Sequence, residues 1–251
     1  MSADLGPRQA EPHAARAWAH RWAVEEHAKA GFLLIARGLE EQGYPDVLVV
    51  AAHTASEDER DHAARCRTLT VFFGGEDLRP ILSEAEELAP RALSAGDRLL
   101  YESVARCCIA ETESAATLAE LSGRAEAPVL SVIRIIARDE VRHARLGWAI
   151  LGFARARGDV AFLGAHLPAM LATGGAPLFE REDDGVADVP ALGVYSRATK
   201  RALFCETLET VIFPSLEEVG VPTAAARSWL AVQIARVDGL GPNHAGARGT
   251  R

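Results

Sequence analysis

The chain carries Asp-Glu-x-x-His-Ala twice, as Asp58-Glu59-Arg60-Asp61-His62-Ala63 and Asp139-Glu140-Val141-Arg142-His143-Ala144. Residues three apart on a helix share a side, so each motif turns one carboxylate and one imidazole toward the same point. Those are donors for a divalent ion, and two motifs predict two ions. Around the first motif, Leu48, Ala52, Ala55, Glu59, His62, Cys66, Leu69 and Phe73 follow steps of four and three. Around the second, Val129, Ile133, Ile136, Glu140, His143, Gly147, Ile150 and Ala154 do the same. Both stripes are apolar except at the centre, which forces ionisable groups inward. Burying such groups without partners costs several kcal/mol, and a divalent metal supplies the compensation.

A paired site of this kind calls for one further Glu from each of two more helices. On a helix predicted over 95–122, Leu100, Val104, Cys108, Glu111, Ala115 and Leu118 form a third stripe with Glu111 at its centre. Glu102 and Glu113 fall off it and read as surface charges. On a helix predicted over 13–42 the choice lies between Glu25 and Glu26. At about 100° per residue, Glu25 stands roughly 70° from the centre of the apolar face and Glu26 roughly 170°. Glu25 therefore faces in. The predicted metal ligands are Glu25, Glu59, His62, Glu111, Glu140 and His143. Four carboxylates and two neutral imidazoles nearly balance two divalent ions, and mixed oxygen and nitrogen donors suit iron, or a manganese–iron pair, better than zinc. Asp58 and Asp139 are each placed to accept a hydrogen bond from the outer N–H of the other motif's histidine. Gly147, one turn past His143, is expected to leave room beside the metals.

Four helices must position these groups, over 13–42, 45–73, 95–122 and 128–157. Short breaks at Gly43-Tyr44-Pro45 and over 123–128 make two antiparallel hairpins. The segment over 73–94, with Gly74-Gly75, Pro80 and a capping pattern from Ser83 to Glu86, is long enough to cross between them. The expected architecture is all-α, a four-helix di-metal bundle over 13–157, followed by an irregular linker over 158–191 containing the charge run Glu180 to Asp184. A C-terminal extension over 192–238, of two helices packed on the bundle, precedes a frayed tail.

Composition narrows the function further. The 251 residues carry a formal charge of −8 and are 49% apolar, enough for a sizeable core and unlike a nucleic-acid surface. No long uncharged apolar run or signal-like start is evident, so the expectation is a cytoplasmic protein with no membrane partner. Cys66, Cys107, Cys108 and Cys205 lack metal or redox spacing and read as free, small buried residues.

Taken together, Glu25, Phe32, Leu39, Gly43 and Pro45 on the first helix, Cys108 to Thr112 on the third and Ile136 to Trp148 on the fourth resemble a bacterial ferritin-like domain protein of the di-iron carboxylate superfamily. The resemblance covers about Trp18 to Arg157. It implies a ferritin-like bundle with one long crossover, and independently favours Glu25 as a ligand. Two residues depart from the family pattern, Lys29 and Arg106, the latter replacing an acidic residue: either reads as a solvated side chain, and the sharper alternative is that Lys29 helps to bind an anionic substrate or tunes the metals. Among the activities the resemblance implies, the leading expectation is an O2-activating oxidase or oxygenase that acts on a small-molecule substrate and takes electrons from an external donor. The alternatives are an iron-handling ferroxidase or peroxide scavenger and a metal-stabilised binding module. The C-terminal helices leave room for a homodimer.

Overall fold

A computed structural model describes residues 11–79, 87–180 and 185–239. The fold is all-α, and among the described residues there is no strand, only an isolated bridge between Val189 and Val194. The capping pattern expected over 83–86, the charged residues 181–184 and the tail beyond 239 lie outside the described residues.

The first helix, α1 (Pro12–Glu41), starts with proline in its opening turn, where the missing N–H has no intrahelical acceptor to lose. It closes on Gly43 in the left-handed region (φ 65°), which lets the Tyr44 N–H donate back to the Leu39 carbonyl at 2.9 Å. The chain returns along it as α2 (Asp46–Phe72). The third rod comprises α3 (Ala95–Ser103), an eight-residue π-helical stretch (Val104–Glu111) and α4 (Thr112–Ser122). The expected single α-helix is thus interrupted, and Glu111 is the last residue of the wider turn. The fourth rod, α5 (Val129–Arg157), packs against the third and against α2, while α1 packs on α2 and α3.

The core has two apolar zones. One gathers Trp18, Leu69, Leu118, Ile133 and Ile136, and the other Phe32, Ile35, Leu39, Val104, Leu146 and Ile150. Along α1, α2 and α5 the switch from one zone to the other falls at Glu25, at Glu59 and His62, and at Glu140 and His143. The polar cluster therefore occupies the middle of the bundle, several turns from either end.

The segment read as an irregular linker contains a helix, α6 (Leu163–Gly175), followed by a 3-10 turn (Ala176–Phe179). Leu163, Leu167, Met170 and Leu171 of α6 are buried against the bundle, so packing overrides the breaking tendency of Pro168 within the helix. The first helix of the C-terminal extension begins at Arg197. α7 (Arg197–Thr207) is capped by the Ser196 hydroxyl, which accepts from the Thr199 N–H at 3.2 Å, and it runs through a π segment (Leu208–Ile212) into α8 (Phe213–Glu218). α9 (Ala224–Val237) completes the described chain. Three helical units, rather than two, follow the bundle.

Candidate metal centre

The six expected ligands come from four rods, and the structure brings them together. Glu59, His62, Glu140 and His143 are almost completely enclosed, and Glu25 and Glu111 are only slightly less so. Donor atoms of Glu25, Glu59, His62 and Glu140 lie within 4.8 Å of one another, as do those of Glu59, Glu111, Glu140 and His143. Each group of four can hold one ion. Glu59 and Glu140 belong to both, so the two positions adjoin and share two carboxylates.

Both imidazoles point the same way. His62 turns Nδ1 inward, 3.0 Å from Glu59 Oε2 and 3.9 Å from Glu140 Oε1. His143 turns Nδ1 inward, 2.7 Å from Glu59 Oε1 and 3.9 Å from Glu111 Oε2. Outward, His62 Nε2 stands 3.2 Å from Asp139 Oδ2 and His143 Nε2 stands 3.3 Å from Asp58 Oδ2. Each aspartate thus meets the histidine of the other motif, on the neighbouring helix. A carboxylate only accepts, so in the neutral ring this arrangement keeps the proton on Nε2 and leaves the Nδ1 lone pair facing the cluster.

Three buried atoms here lack a hydrogen-bond partner: Glu59 Oε1, Glu140 Oε2 and His143 Nδ1. His143 Nδ1 is close to Glu59 Oε1, but the two are misaligned for a hydrogen bond. Leaving a buried polar group unsatisfied costs about 1–3 kcal/mol, so three of them converging on one volume fit a group that accepts lone pairs. The donor set fits a metal ion.

Electrostatics point the same way. Burial, reinforced by the field of Glu59, holds the Glu25 carboxyl well above the ordinary range. Glu140 is raised likewise by burial and by Glu111, and burial pushes Glu111 up to about 7. Burial also opposes charge on Glu59, but its contacts with His143 and His62 prevail and bring it down to about 2. Burial would lower His143, yet Glu59 leads the carboxylates that raise it to about 9. Without metal, then, protons hold the cluster near neutrality.

Other residues fall differently from expectation. Gly147 leaves no room beside the metals: a Cβ there would stand 2.5 Å from Cys107 Cβ and 2.9 Å from Cys108 N, so the missing side chain serves close approach of α5 to the π stretch. Glu102 is buried, not a surface charge. It accepts from the Ala89 N–H at 2.8 Å and from Arg106 Nε at 2.7 Å, holding the incoming connection to the third rod. Arg106 extends from that pair across Gly31 of α1. Glu113 is half-buried, accepts from the Thr117 hydroxyl at 3.0 Å and is raised by burial, so it is no free surface charge either. Lys29 pairs with Glu26, both side chains being partly buried, and its carbonyl accepts from Ser56 Oγ at 3.0 Å. It belongs to neither donor group.

Sequence reasoning passed over Cys66, whose thiol is 3.9 Å from Glu25 Oε1. It also passed over Arg138 and Arg142, although Asp139 and Arg142 have the three-residue spacing of a helical pair. Arg138 Nε and Arg142 Nη2 each lie 2.8 Å from Asp139 Oδ1, and Arg142 Nη2 is also 2.9 Å from Asp58 Oδ2. All four cysteines are free, with Cys66, Cys107 and Cys108 buried and Cys205 partly so. No described helix is long and apolar enough to cross a membrane. Comparison with known proteins finds no matching family profile and no matching curated protein.

Proposed function

We propose that this chain is a ferritin-like di-iron protein that activates O2 to oxidise a small organic molecule. The reading is carried by the two four-residue donor groups that share Glu59 and Glu140. In it, Glu25, Glu59, His62, Glu111, Glu140 and His143 would hold the iron pair, with Glu59 and Glu140 common to both donor groups. When bound, the pair supplies redox chemistry that no protein side chain provides at neutral pH.

The residues of the chain set the conditions for that chemistry. Asp139 and Asp58 fix the ring planes of His62 and His143 and hold a proton on each Nε2. The apolar zones on both sides keep bulk water from the cluster, which strengthens every charge interaction within it. The π stretch ending at Glu111 brings that carboxylate in from the third rod, and the wider turn departs from regular α geometry where the site requires it.

Anaerobic titration with Fe(II), metal counting and optical spectra after O2 exposure test the reading. Two irons per chain and a new near-ultraviolet absorption that decays with oxidation of an added organic reductant are expected. A manganese–iron pair would show in the metal count. One zinc per chain, or iron that oxidises and accumulates far beyond two ions, would overturn it, the latter in favour of iron storage.

A further inference from the structure

α5 is the most one-sided element of an acidic protein. It contains six arginines and no lysine, and its only acids, Asp139 and Glu140, are both buried. Arg134, Arg138, Arg142 and Arg145 are all exposed, and the eleven steps from the first to the last span about 16 Å of helix. That strip is level with Glu140 and His143. It is also wired inward. Arg138 and Arg142 meet Asp139 at 2.8 Å, Asp139 meets His62 Nε2 at 3.2 Å, and Arg142 continues through Asp58, at 2.9 Å, to His143 Nε2 at 3.3 Å. Each inward-facing histidine is therefore two polar contacts from an exposed guanidinium, and Arg142 serves both.

We infer that the Arg134–Arg138–Arg142–Arg145 face docks an acidic one-electron carrier protein of the ferredoxin class, and that the two Asp–His pairs are its route to the metal pair. This inference rests on the di-iron reading for its electron acceptor, though not for its docking. A cationic strip on a chain of net charge −8 steers an acidic partner to one face and repels it from the rest. Electron-transfer encounters are small and transient, so a strip one helix wide is adequate in size. Each encounter moves one electron: the reduced carrier leaves oxidised by one, and two encounters supply the two electrons that separate a ferric pair from a ferrous pair.

The test uses the full chain and a plant-type [2Fe–2S] ferredoxin as the acidic probe, with basic cytochrome c as the control. Arg134→Glu combined with Arg145→Glu reverses two charges without touching the Asp–His contacts. Ferredoxin should bind at about 20 mM salt with an affinity that falls at least about tenfold in the double variant and again at about 200 mM salt, while cytochrome c should not bind the face. Metal content should be unchanged. Anaerobic mixing of reduced ferredoxin with the ferric-loaded chain should restore the visible absorbance of oxidised ferredoxin, more slowly in the double variant. Absent ferredoxin binding tighter than about 1 mM, or binding and electron transfer indifferent to the double substitution, would overturn the inference. So would displacement of ferredoxin from this face by tighter-binding duplex DNA or anionic phosphatidylglycerol vesicles, which would make the strip a general polyanion site. If the chain takes up no iron, the di-iron reading fails, and binding to the metal-free chain still decides the docking surface.

Discussion

Loading the metal-free chain with two divalent ions should expel about four protons near neutral pH, because ligand groups must be deprotonated to bind metal. The number follows from charge balance. With six deprotonated ligands and no ion the cluster would carry four negative charges in a buried site, a cost that proton uptake avoids. Glu25 and Glu140 are both held well above the ordinary carboxylate range, chiefly by burial, which favours their protonated forms. Glu111, at about 7, holds roughly half of one, His143, at about 9, holds an additional one, and His62 is raised as well. Glu59 stays ionised. Two divalent ions then replace about four protons, and the affinity for the pair should rise by roughly three to four orders of magnitude per pH unit near neutrality.

The sign carries over to stability. Groups with raised folded-state values favour the metal-free fold fully below their unfolded values, near 4.5 for Glu and 6.5 for His, and that contribution is lost as pH rises through about 7 for Glu111 and about 9 for His143. Glu59 acts oppositely, losing its contribution as pH falls from 4.5 to about 2. Between pH 6 and 8 the metal-free melting temperature should fall while the gap to the loaded protein widens. Calorimetric titration with Mn(II), which O2 does not readily oxidise at neutral pH, in buffers of different ionisation enthalpy gives the proton count directly. Release of fewer than two protons per chain, or a metal-free protein more stable at pH 8 than at pH 6, would refute the reasoning.

The shared carboxylates should be distinguishable from the others: Glu59→Ala or Glu140→Ala should lose both ions, whereas Glu25→Ala or Glu111→Ala should retain about one, as read by metal analysis after desalting. Asp139→Asn and Asp58→Asn should fold normally and weaken Mn(II) affinity by about 10- to 100-fold, since each amide presents the histidine with a poorer acceptor; unchanged isotherms would remove their orienting role. Gly147→Ala should destabilise the chain by about 1–3 kcal/mol in urea unfolding, because its methyl group would meet backbone and Cβ atoms of the π stretch that have little freedom to give way.

The helices carrying the cluster were legible because a bundle buries one stripe per rod, and ionisable residues interrupting a regular apolar stripe stand out against it. The same reasoning separates Glu25, which is buried in the donor cluster, from Glu26, which is only partly buried and pairs with Lys29. It failed where the supposed outer face is not solvent. Glu102 and Glu113 fall off the stripe and so read as surface charges, yet the incoming connection covers Glu102, and Glu113 is half-buried beside Thr117. α6 was hidden because Pro168 and the Gly/Pro-rich flanks signal a loop, and only its packing on the bundle favours a helix. The π stretch leaves no local mark, since its wider turn is fixed by how closely Cys107 and Cys108 approach Gly147, a relation between rods and not a property of either.

The crossed Asp–His pairs also give the molecule an approximate internal two-fold. The α1–α2 hairpin contributes Glu25, Asp58, Glu59 and His62, and the hairpin from α3 to α5 contributes Glu111, Asp139, Glu140 and His143. These are two copies of one half-site, each holding the aspartate that the other's histidine needs, the reciprocal pattern by which identical subunits meet across a symmetry axis. Neither half is orientationally complete alone. Sliding α2 past α5 by a single residue, about 1.5 Å, would strain both Asp–His contacts at once, so the polar pairs act as a register pin in a bundle whose apolar stripes would tolerate several alignments.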